Sequence, residues 1–464
     1  LARGGELIRK PLNAEQQKIF DSILDSIRHQ SADGPPVTHI VHGHGGTGKS
    51  NLIRHILSFF EKYGACTADM YLRATIGQAP SNLIGSPNVA KQIANPKFIQ
   101  LVIIDEYSML AGKKLIALDQ RLRLYNQKDR PFGGVPLLLV GDPLQLPTVS
   151  GDGILTTKSF KSLEPVWHKL VEQQRFDPIL DSEYLEFLDE LRLKLLKRLP
   201  LSPSASAHLD YRLSTDGGCR TIKKEALVLC PTNSGTRKHN WSRILAKCRE
   251  DPGVRRFIFT TAPTALVDAT DIATREDSIP MAEGSPVIVV RNVYSTSKTN
   301  QSILDACNGE RGRFLKLGGQ CAVTGTVSVM GVEFEIVSID KRTSVFVSTE
   351  TSAELELVAK PAITVSKNKK KKYEMPVMPA YSVTIHKMQG QTIHQSIHID
   401  ATMEAAHDMI RTQPQLLYVA LSRPVTSRSV TIAGITSDSI SNLVKSMGPP
   451  SDADRSMLAL DDKV

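Results

Sequence analysis

HGHGGTGKS, residues 42–50, carries two overlapping phosphate-binding signatures, and the choice between them decides the fold. Gly43, Gly45 and Gly48 satisfy G-x-G-x-x-G, the dinucleotide pattern, while Gly43 to Ser50 satisfies G-x-x-x-x-G-K-[ST], the P-loop of nucleoside triphosphatases. Both use glycine so that backbone N–H groups at a helix N-terminus can approach phosphate. The first cradle holds a redox cofactor; the second turns over ATP. Only the P-loop needs a lysine for the β/γ-phosphate oxygens and a following hydroxyl for Mg²⁺, and Lys49 and Ser50 supply both. Asp69 stands about where a dinucleotide site would place its acid, but its ordinary reading is a surface acid.

A second site is needed to separate the two. LVIIDEYSM sets Asp105 and Glu106 at the carboxyl end of an apolar strand, the end where open α/β sheets bind ligands. An NTPase needs both carboxylates, Asp105 for the Mg²⁺ shell and Glu106 to orient or deprotonate the attacking water. An acidic strand-to-helix turn is the bland alternative. VGDPLQLP, 140–147, brings Gln145 to the same edge, where an amide can sense the γ-phosphate. Three strand ends agree on a P-loop.

The flanks read accordingly. In LNAEQQKIFDSILDSIRHQ, Ile19, Phe20, Ile23, Leu24 and Ile27 share one helical stripe, with Asn13 as N-cap and Gln16 at capping-box spacing. VTHIV predicts a short buried strand entering the glycine loop, and Leu52, Ile53, Ile56, Leu57 and Phe60 an amphipathic helix stopping at Gly64. Buried-strand runs at 98–106 and 135–142 alternate with helical stretches, which predicts a parallel sheet with helices on both faces. The same grammar restarts with EALVLCPTN, SPVIVV, SIHID and SVTIAGI, a second α/β domain. Between them, residues 310–375 alternate apolar and polar with glycine punctuation and predict a small inserted β-barrel. SKNKKKKYE, with Lys367 and Lys369 to Lys372, reads as a solvated loop, a phosphate-contacting loop or a nuclear-import patch.

Composition sets wider bounds. With 464 residues, 41% of them hydrophobic and 23% charged, the chain has the make-up of an ordinary globular protein of about three domains. No run of about 18 apolar residues is present, so no membrane partner is expected. LARGGELIRK lacks a signal-peptide stretch and an initiator Met, which leads us to expect a trimmed chain. Six scattered cysteines without a C-x-x-C pair fit a reducing compartment and no zinc, and the histidines add no ligand spacing. A net charge of +9 favours a polyanionic partner, nucleic acid first.

The ordered set of motifs resembles the core of superfamily-one helicases, most closely the Pif-type DNA helicases related to RecD. The resemblance runs over about residues 11–435. It is carried by the glycine loop, DEYSMLAGKKLIALDQRLRLYNQKDRPFGGVPLLLVGDPLQLPTV, PTN (231–233), CNGERG (307–312), YSVTIHKMQGQT (381–392) and LLYVALSRPVTS (416–427). It implies an α/β fold of two RecA-like P-loop NTPase domains in tandem with a small inserted SH3-like β domain. The first would span 1–170, with a wedge-type insertion at about 75–97, and the second 171–309 and 376–447. The β insert would occupy 310–375 and a tail 448–464.

Residue by residue, the resemblance implies that Gln16 reads adenine, although completing a capping box is its ordinary alternative. Gly43, Gly45, Gly46, Thr47, Gly48, Lys49 and Ser50 would hold phosphate and metal, with Gly390 also at the nucleotide. Asp105 would hold Mg²⁺, Glu106 would act on water, and Gln145 would sense the γ-phosphate. Arg175 and Arg423 would reach the nucleotide from the second domain. Thr75, Thr232, Asn233, Thr384, His386 and Gln389 would contact nucleic acid, with a satisfied interior histidine the alternative for His386. One departure stands out: ATIGQAPSNLIGSPNV carries Pro87 and Val89 where the family shows G-x-T-x-H, which puts the usual contacts there in doubt.

The implied activity is ATP- and Mg²⁺-dependent DNA unwinding by translocation on single-stranded DNA, with five-prime to three-prime polarity. The implied partners are single strands and single-strand/duplex junctions, met by a monomer in an intracellular setting. RNA stays open as the track. An ATP-switched DNA-binding clamp and a small-molecule phosphotransferase are the competing readings.

Overall fold

The computed structural model describes residues 10–31, 34–62, 71–74, 101–146, 148, 153–154, 157–212, 225–261, 272, 275–291, 293–296, 302–306, 308–349, 352–361, 373–447, 449–450, 454–455 and 458–459. Thr75, Asp69, Pro87, Val89, the insertion at 75–97 and the lysine run at 367–372 lie outside the described residues. Contacts divide the chain into two units. The N-terminal unit comprises Glu6–Thr221, Gln389–His394 and His407–Val464; the C-terminal unit comprises Ile222–Met388 and Gln395–Ala406. Residues 171–221 and 407–447, read from sequence with the second domain, thus group with the first.

The N-terminal unit is built on a five-stranded sheet of β1 (Thr38–Gly43), β2 (Tyr71–Ala74), β3 (Leu101–Asp105), β4 (Leu137–Gly141) and β5 (Val166–Leu170). Its order is β2-β3-β4-β1-β5, with every pairing parallel. Strands β1 and β4 are buried along their whole length, because a parallel sheet is covered on both faces. Alternate side chains serve the two covers. Val41, Ile103, Leu138 and Val140 pack with Ile19 and Ile23 of helix Ala14–Arg28 and with Ile53 and Ile56 of helix Lys49–Lys62. Ile40, Val102, Ile104 and Leu139 face the opposite way, onto Leu115, Leu118 and Leu122 of helix Gly112–Asn126. The capping box forms as its spacing predicts: the Asn13 side chain accepts from Gln16 N at 2.8 Å, and Gln16 Oε1 accepts from Asn13 N at 3.3 Å. Gly64 lies outside the described residues.

The C-terminal unit continues the strand count with β6 (Leu227–Cys230), β7 (Arg256–Thr260), β8 (Ile279–Ala282), β9 (Pro286–Val289), β10 (Val293–Thr296) and β11 (Ser302–Ala306). There follow β12 (Arg311–Leu317), β13 (Val323–Val329), β14 (Val332–Ser338), β15 (Ser344–Thr349) and β16 (Leu355–Val358). Last come β17 (Lys360–Pro361), β18 (Tyr373–Glu374), β19 (Val377–Pro379), β20 (Ser382–Thr384) and β21 (Ile397–Asp400). Its α/β part is small: β20 and β21 flank β6 in parallel, and helix Asn233–Glu250 lies against β6 and β20. Buried Asn240 ties that helix down, donating to Pro379 O and Ser382 O and accepting from Ser382 N.

The β region differs from the expected self-contained insert at 310–375. Strand β12 pairs with β9 and β14 with β7, so the window is woven into strands that precede it, and β9 in turn pairs with β19, which follows it. Two sheets, β16-β15-β12-β9-β19 and β13-β14-β7-β8, share one core around Phe257, Phe259, Val289, Phe314, Val345 and Val377. SPVIVV, expected in a parallel sheet, is β9 and pairs antiparallel on both edges. A four-residue apolar run reads the same in either kind of sheet, so periodicity could not choose its partners.

Candidate nucleotide-binding site

The glycine loop leaves β1 and enters helix Lys49–Lys62. Gly46 and Gly48 adopt left-handed backbone, φ 98° and 81°, which an L side chain rarely tolerates. A Cβ on Gly48 would also collide with the Gln16 amide. Lys49 folds back, donating to Gly43 O at 2.6 Å and His44 O at 2.8 Å. Thr47 Oγ1 donates to His44 O. Gln16 Nε2 donates to Thr47 O at 3.3 Å and Gly48 O at 3.4 Å, so its amide serves the cap and the loop together.

The carboxylates sit where the strand ends predict. Asp105 closes β3, and its side chain accepts from Glu106 N at 3.0 Å. Glu106 is 7% exposed and accepts from Gln389 Nε2 at 3.2 Å. Gly390 opens the space beside it; a Cβ there would stand 3.1 Å from Glu106 Oε1. Burial lifts the Glu106 carboxyl above its ordinary range, Asp105 adds to the lift, and Lys49, Arg423 and Gln389 oppose it. Burial pulls the Lys49 ammonium down, against the attraction of Glu106 and Asp142. Gln145 is buried and donates to Asp142 Oδ2 at 3.1 Å. Burial alone would raise Asp142, yet the Arg192 guanidinium at 2.7 Å holds it well below the usual carboxylate range.

Both expected arginines meet the loop. Arg175 donates to Ser422 O and, at 3.0 Å, to Thr392 Oγ1. Arg423 is 1% exposed, donating to Val419 O at 2.9 Å and Ser422 Oγ at 2.8 Å. A Cβ built on Gly45 would lie 2.9 Å from Arg423 Nη2. Burial, with Arg423 nearby, pushes Arg175 down to about 9, and burial likewise lowers Arg423. Gln173, Gln174 and Tyr418 complete the collar, and no reading of the sequence named them. Gln173 Nε2 donates to Gly45 O, Gln174 N donates to Gly46 O, and Gly45 N donates to Tyr418 Oη at 3.2 Å. The run EQQR was the available signal, since polar residues in succession beside a phosphate loop can bond its backbone.

Two carboxamide oxygens in the site, Gln145 Oε1 and Gln389 Oε1, are buried without a hydrogen-bond partner. Buried polar atoms are almost always satisfied, so two orphans beside the carboxylates mark places for a water or a ligand proton.

The remaining candidates stand in the C-terminal unit. Thr232 caps helix Asn233–Glu250, accepting from Gly235 N at 3.2 Å, and Asn233 is exposed beside it. Thr384 is buried at the end of β20, and His386 is half-buried in the short turn that follows. Gln389, grouped from sequence with these residues, is instead placed on Glu106.

Known proteins resemble this chain in sequence and fold. Residues 73–173 match the family model of the PIF1-like helicases. Over that segment the chain resembles the PIF1-like helicases. It is 25% identical to the human ATP-dependent DNA helicase PIF1, over 76% of this chain and 52% of that protein. It is 30% identical to the ATP-dependent DNA helicase RRM3 of Saccharomyces cerevisiae, over 33% of this chain and 26% of that protein. The chain therefore spans about a quarter to a half of the PIF1-like relatives it matches. A crystal structure of Pif1 helicase from Bacteroides in complex with ADP-AlF3 and ssDNA superposes with a TM-score of 0.63, over 98% of both chains at 18% identity. That likeness carries the fold alone, tandem RecA-like domains, to this chain.

Proposed function

We propose that this chain is the motor of an ATP-driven DNA helicase that moves along single-stranded DNA from five-prime to three-prime. One observation carries the reading: buried Lys49, Glu106 and Arg423 and half-buried Arg175, from four separate segments, converge on one glycine loop. Withdrawing these ionisable groups from water is costly unless a charged ligand rewards it. A triphosphate supplies that reward, because its oxygens accept from Lys49 and the two guanidinium forks. Glu106, its carboxyl raised and held by Gln389, orients the attacking water, and the orphaned Gln145 oxygen accepts from it. Arg175 and Arg423 stabilise the charge that spreads over the γ-phosphoryl oxygens in the transition state. Gln16 contacts the base once its amide leaves the loop carbonyls.

Mg²⁺ fits the donor set, since the Ser50 hydroxyl and the Asp105 carboxylate are the hard oxygens it prefers. When bound, the ion would neutralise phosphate charge.

On the nucleic-acid side, Thr232, Asn233, Thr384 and His386 of the C-terminal unit meet the DNA backbone, which suits a motor that must step over any sequence. The Bacteroides Pif1 complex with ADP-AlF3 and ssDNA supports both ligand classes by homology. We propose single strands and single-strand/duplex junctions as substrates of a monomer, with RNA as a competing track.

The test is ATP hydrolysis with Mg²⁺ at fixed low salt, alone and then with single-stranded DNA, single-stranded RNA or blunt duplex. Salt is fixed because phosphate contacts weaken steeply with ionic strength. Stimulation by single-stranded DNA, followed by strand displacement from a five-prime tail, is expected. A rate indifferent to all three nucleic acids would remove the motor.

A further inference from the structure

We propose that Tyr107 and His42 form a positioning strut that sets the Glu106 carboxylate against the phosphate loop, an inference that rests on the ATPase reading above. Glu106 adopts left-handed backbone, φ 53° and ψ 49°. A non-glycine residue stays there only where its surroundings over-determine it. Two features do so. Gly141, at the end of β4, admits the backbone of the turn; a Cβ on it would stand 3.1 Å from Tyr107 N and 3.4 Å from Glu106 Cα. Tyr107 then anchors the turn from within. Its ring is 1% exposed in the core with Ile40, Leu118 and Phe132, and its hydroxyl meets His42 Nε2 at 2.7 Å.

His42 is held just as closely. Its ring lies over that of Tyr107, centroids 5.8 Å apart at 26°, and meets Trp167 edge-on at 5.0 Å. The next residue is Gly43, whose carbonyl accepts from Lys49 Nζ at 2.6 Å. A short path thus joins the two halves of the site. It runs from Glu106 through the adjacent Tyr107 and one side-chain hydrogen bond to His42, and on to the carbonyl that holds Lys49. An apolar pair of similar volume would fill the same space. A directional hydrogen bond adds a fixed distance between β1 and the turn after β3. Both groups are buried and act through Glu106 and Gly43, so both are positioning residues.

The experiment is steady-state ATP hydrolysis on the full chain, with Lys49→Ala as the inactive reference and circular dichroism melting to find a temperature at which every variant is folded. Tyr107→Phe removes one oxygen and keeps the ring. It should lower kcat by about tenfold and leave KM for Mg·ATP within about twofold, the signature of an interaction that matters in the transition state. His42→Leu should do the same, and the double variant should be no slower than the worse single one, because one shared contact can be lost only once. His42→Gln, whose amide can still bond the hydroxyl, should recover most of kcat. An unchanged kcat in Tyr107→Phe, penalties that multiply in the double variant, or a His42→Gln as slow as His42→Leu would overturn the strut. Wild-type protein that fails to hydrolyse ATP, or whose hydrolysis survives Lys49→Ala, would overturn the ATPase reading instead, and the two failures are told apart by the wild-type and Lys49 controls.

Discussion

Around its glycine loop the N-terminal unit buries Lys49, Glu106, Asp142, Arg192 and Arg423, whereas the β-rich part of the C-terminal unit buries Phe257, Phe259, Phe314 and Phe334. One buried carboxamide in the C-terminal unit contrasts with two beside the glycine loop. Asn240 in the C-terminal unit is satisfied by three hydrogen bonds to Pro379 and Ser382, and its work is to hold a helix on a strand. Gln145 and Gln389 in the N-terminal unit each make a bond to a carboxylate and leave a buried oxygen without a partner. The satisfied Asn240 amide serves the fold, whereas the spare acceptors of Gln145 and Gln389, beside the carboxylates, have room for a water or ligand proton. Stability should therefore be concentrated in one set of residues and turnover in the other.

The largest effect tests the turnover side. Arg423→Lys keeps a cation and loses the planar fork, and hydrolysis should fall by about 10³-fold with nucleotide binding largely kept. Binding measured with a fluorescent nucleotide beside a turnover assay checks it; wild-type turnover would break the division. Next comes the buried ion pair. Arg192→Met strands Asp142 and should cost about 3–5 kcal/mol in urea unfolding. Because Asp142 is held below its ordinary range, its stabilising contribution is complete above the unfolded value of about 4 and fades as pH drops below that. Acid melts of wild type should show this loss, and melts of Arg192→Met should lack most of it.

The two carboxamides give the sharpest contrast. Asn240→Ala orphans a bonded turn and should cost about 1–3 kcal/mol of stability, while KM for ATP stays put. Gln145→Ala should leave stability within about 1 kcal/mol and slow hydrolysis by about 10²-fold, the scale of a lost transition-state hydrogen bond. The reverse outcome would mean that orphaned acceptors here are structural. The smallest effect compares one histidine from each unit. Burial, with His168 at 2.8 Å, pushes His39 down to about 4, and burial does the same to His398 despite Asp400. Between about pH 6.5 and 4 the unfolded chain takes up protons that these folded histidines refuse, so stability should fall as pH falls through that window. His39→Gln should flatten the slope without removing it, because His398 still contributes; unfolding at pH 7, 6 and 5 measures the difference.

Several features were legible because they are local. Lys49 and Ser50 follow the third glycine, Asp105 and Glu106 follow an apolar strand, and Asn13 and Gln16 stand at cap spacing, so a few consecutive residues carried each reading. Three strands of the parallel sheet, β1, β3 and β4, followed from apolar runs, which a sheet covered on both faces accommodates. Strands β2 (Tyr71–Ala74) and β5 (Val166–Leu170) carry no such run and were not legible. The β region was legible as strands and misread as a separate insert, because alternation states which faces are buried and says nothing about the partner strand. SPVIVV shows this most plainly: its apolar run fits a parallel core, and β9 lies between two antiparallel neighbours.

The chemistry of one segment was therefore determined by the sequence alone: a glycine loop shaped for phosphate, two carboxylates at a strand end, an amide on the next. Tertiary structure decided what no spacing could express. It brought Gln389 to Glu106 and Arg423 to Gly45 across hundreds of residues, closed Tyr107 onto His42, and left the Gln145 and Gln389 amide oxygens open beside the carboxylates. The reason is range. Glycine conformations, caps and strand periodicity arise from interactions within a few residues, whereas burial, a shifted ionisation and an unsatisfied acceptor exist only once distant segments have packed together.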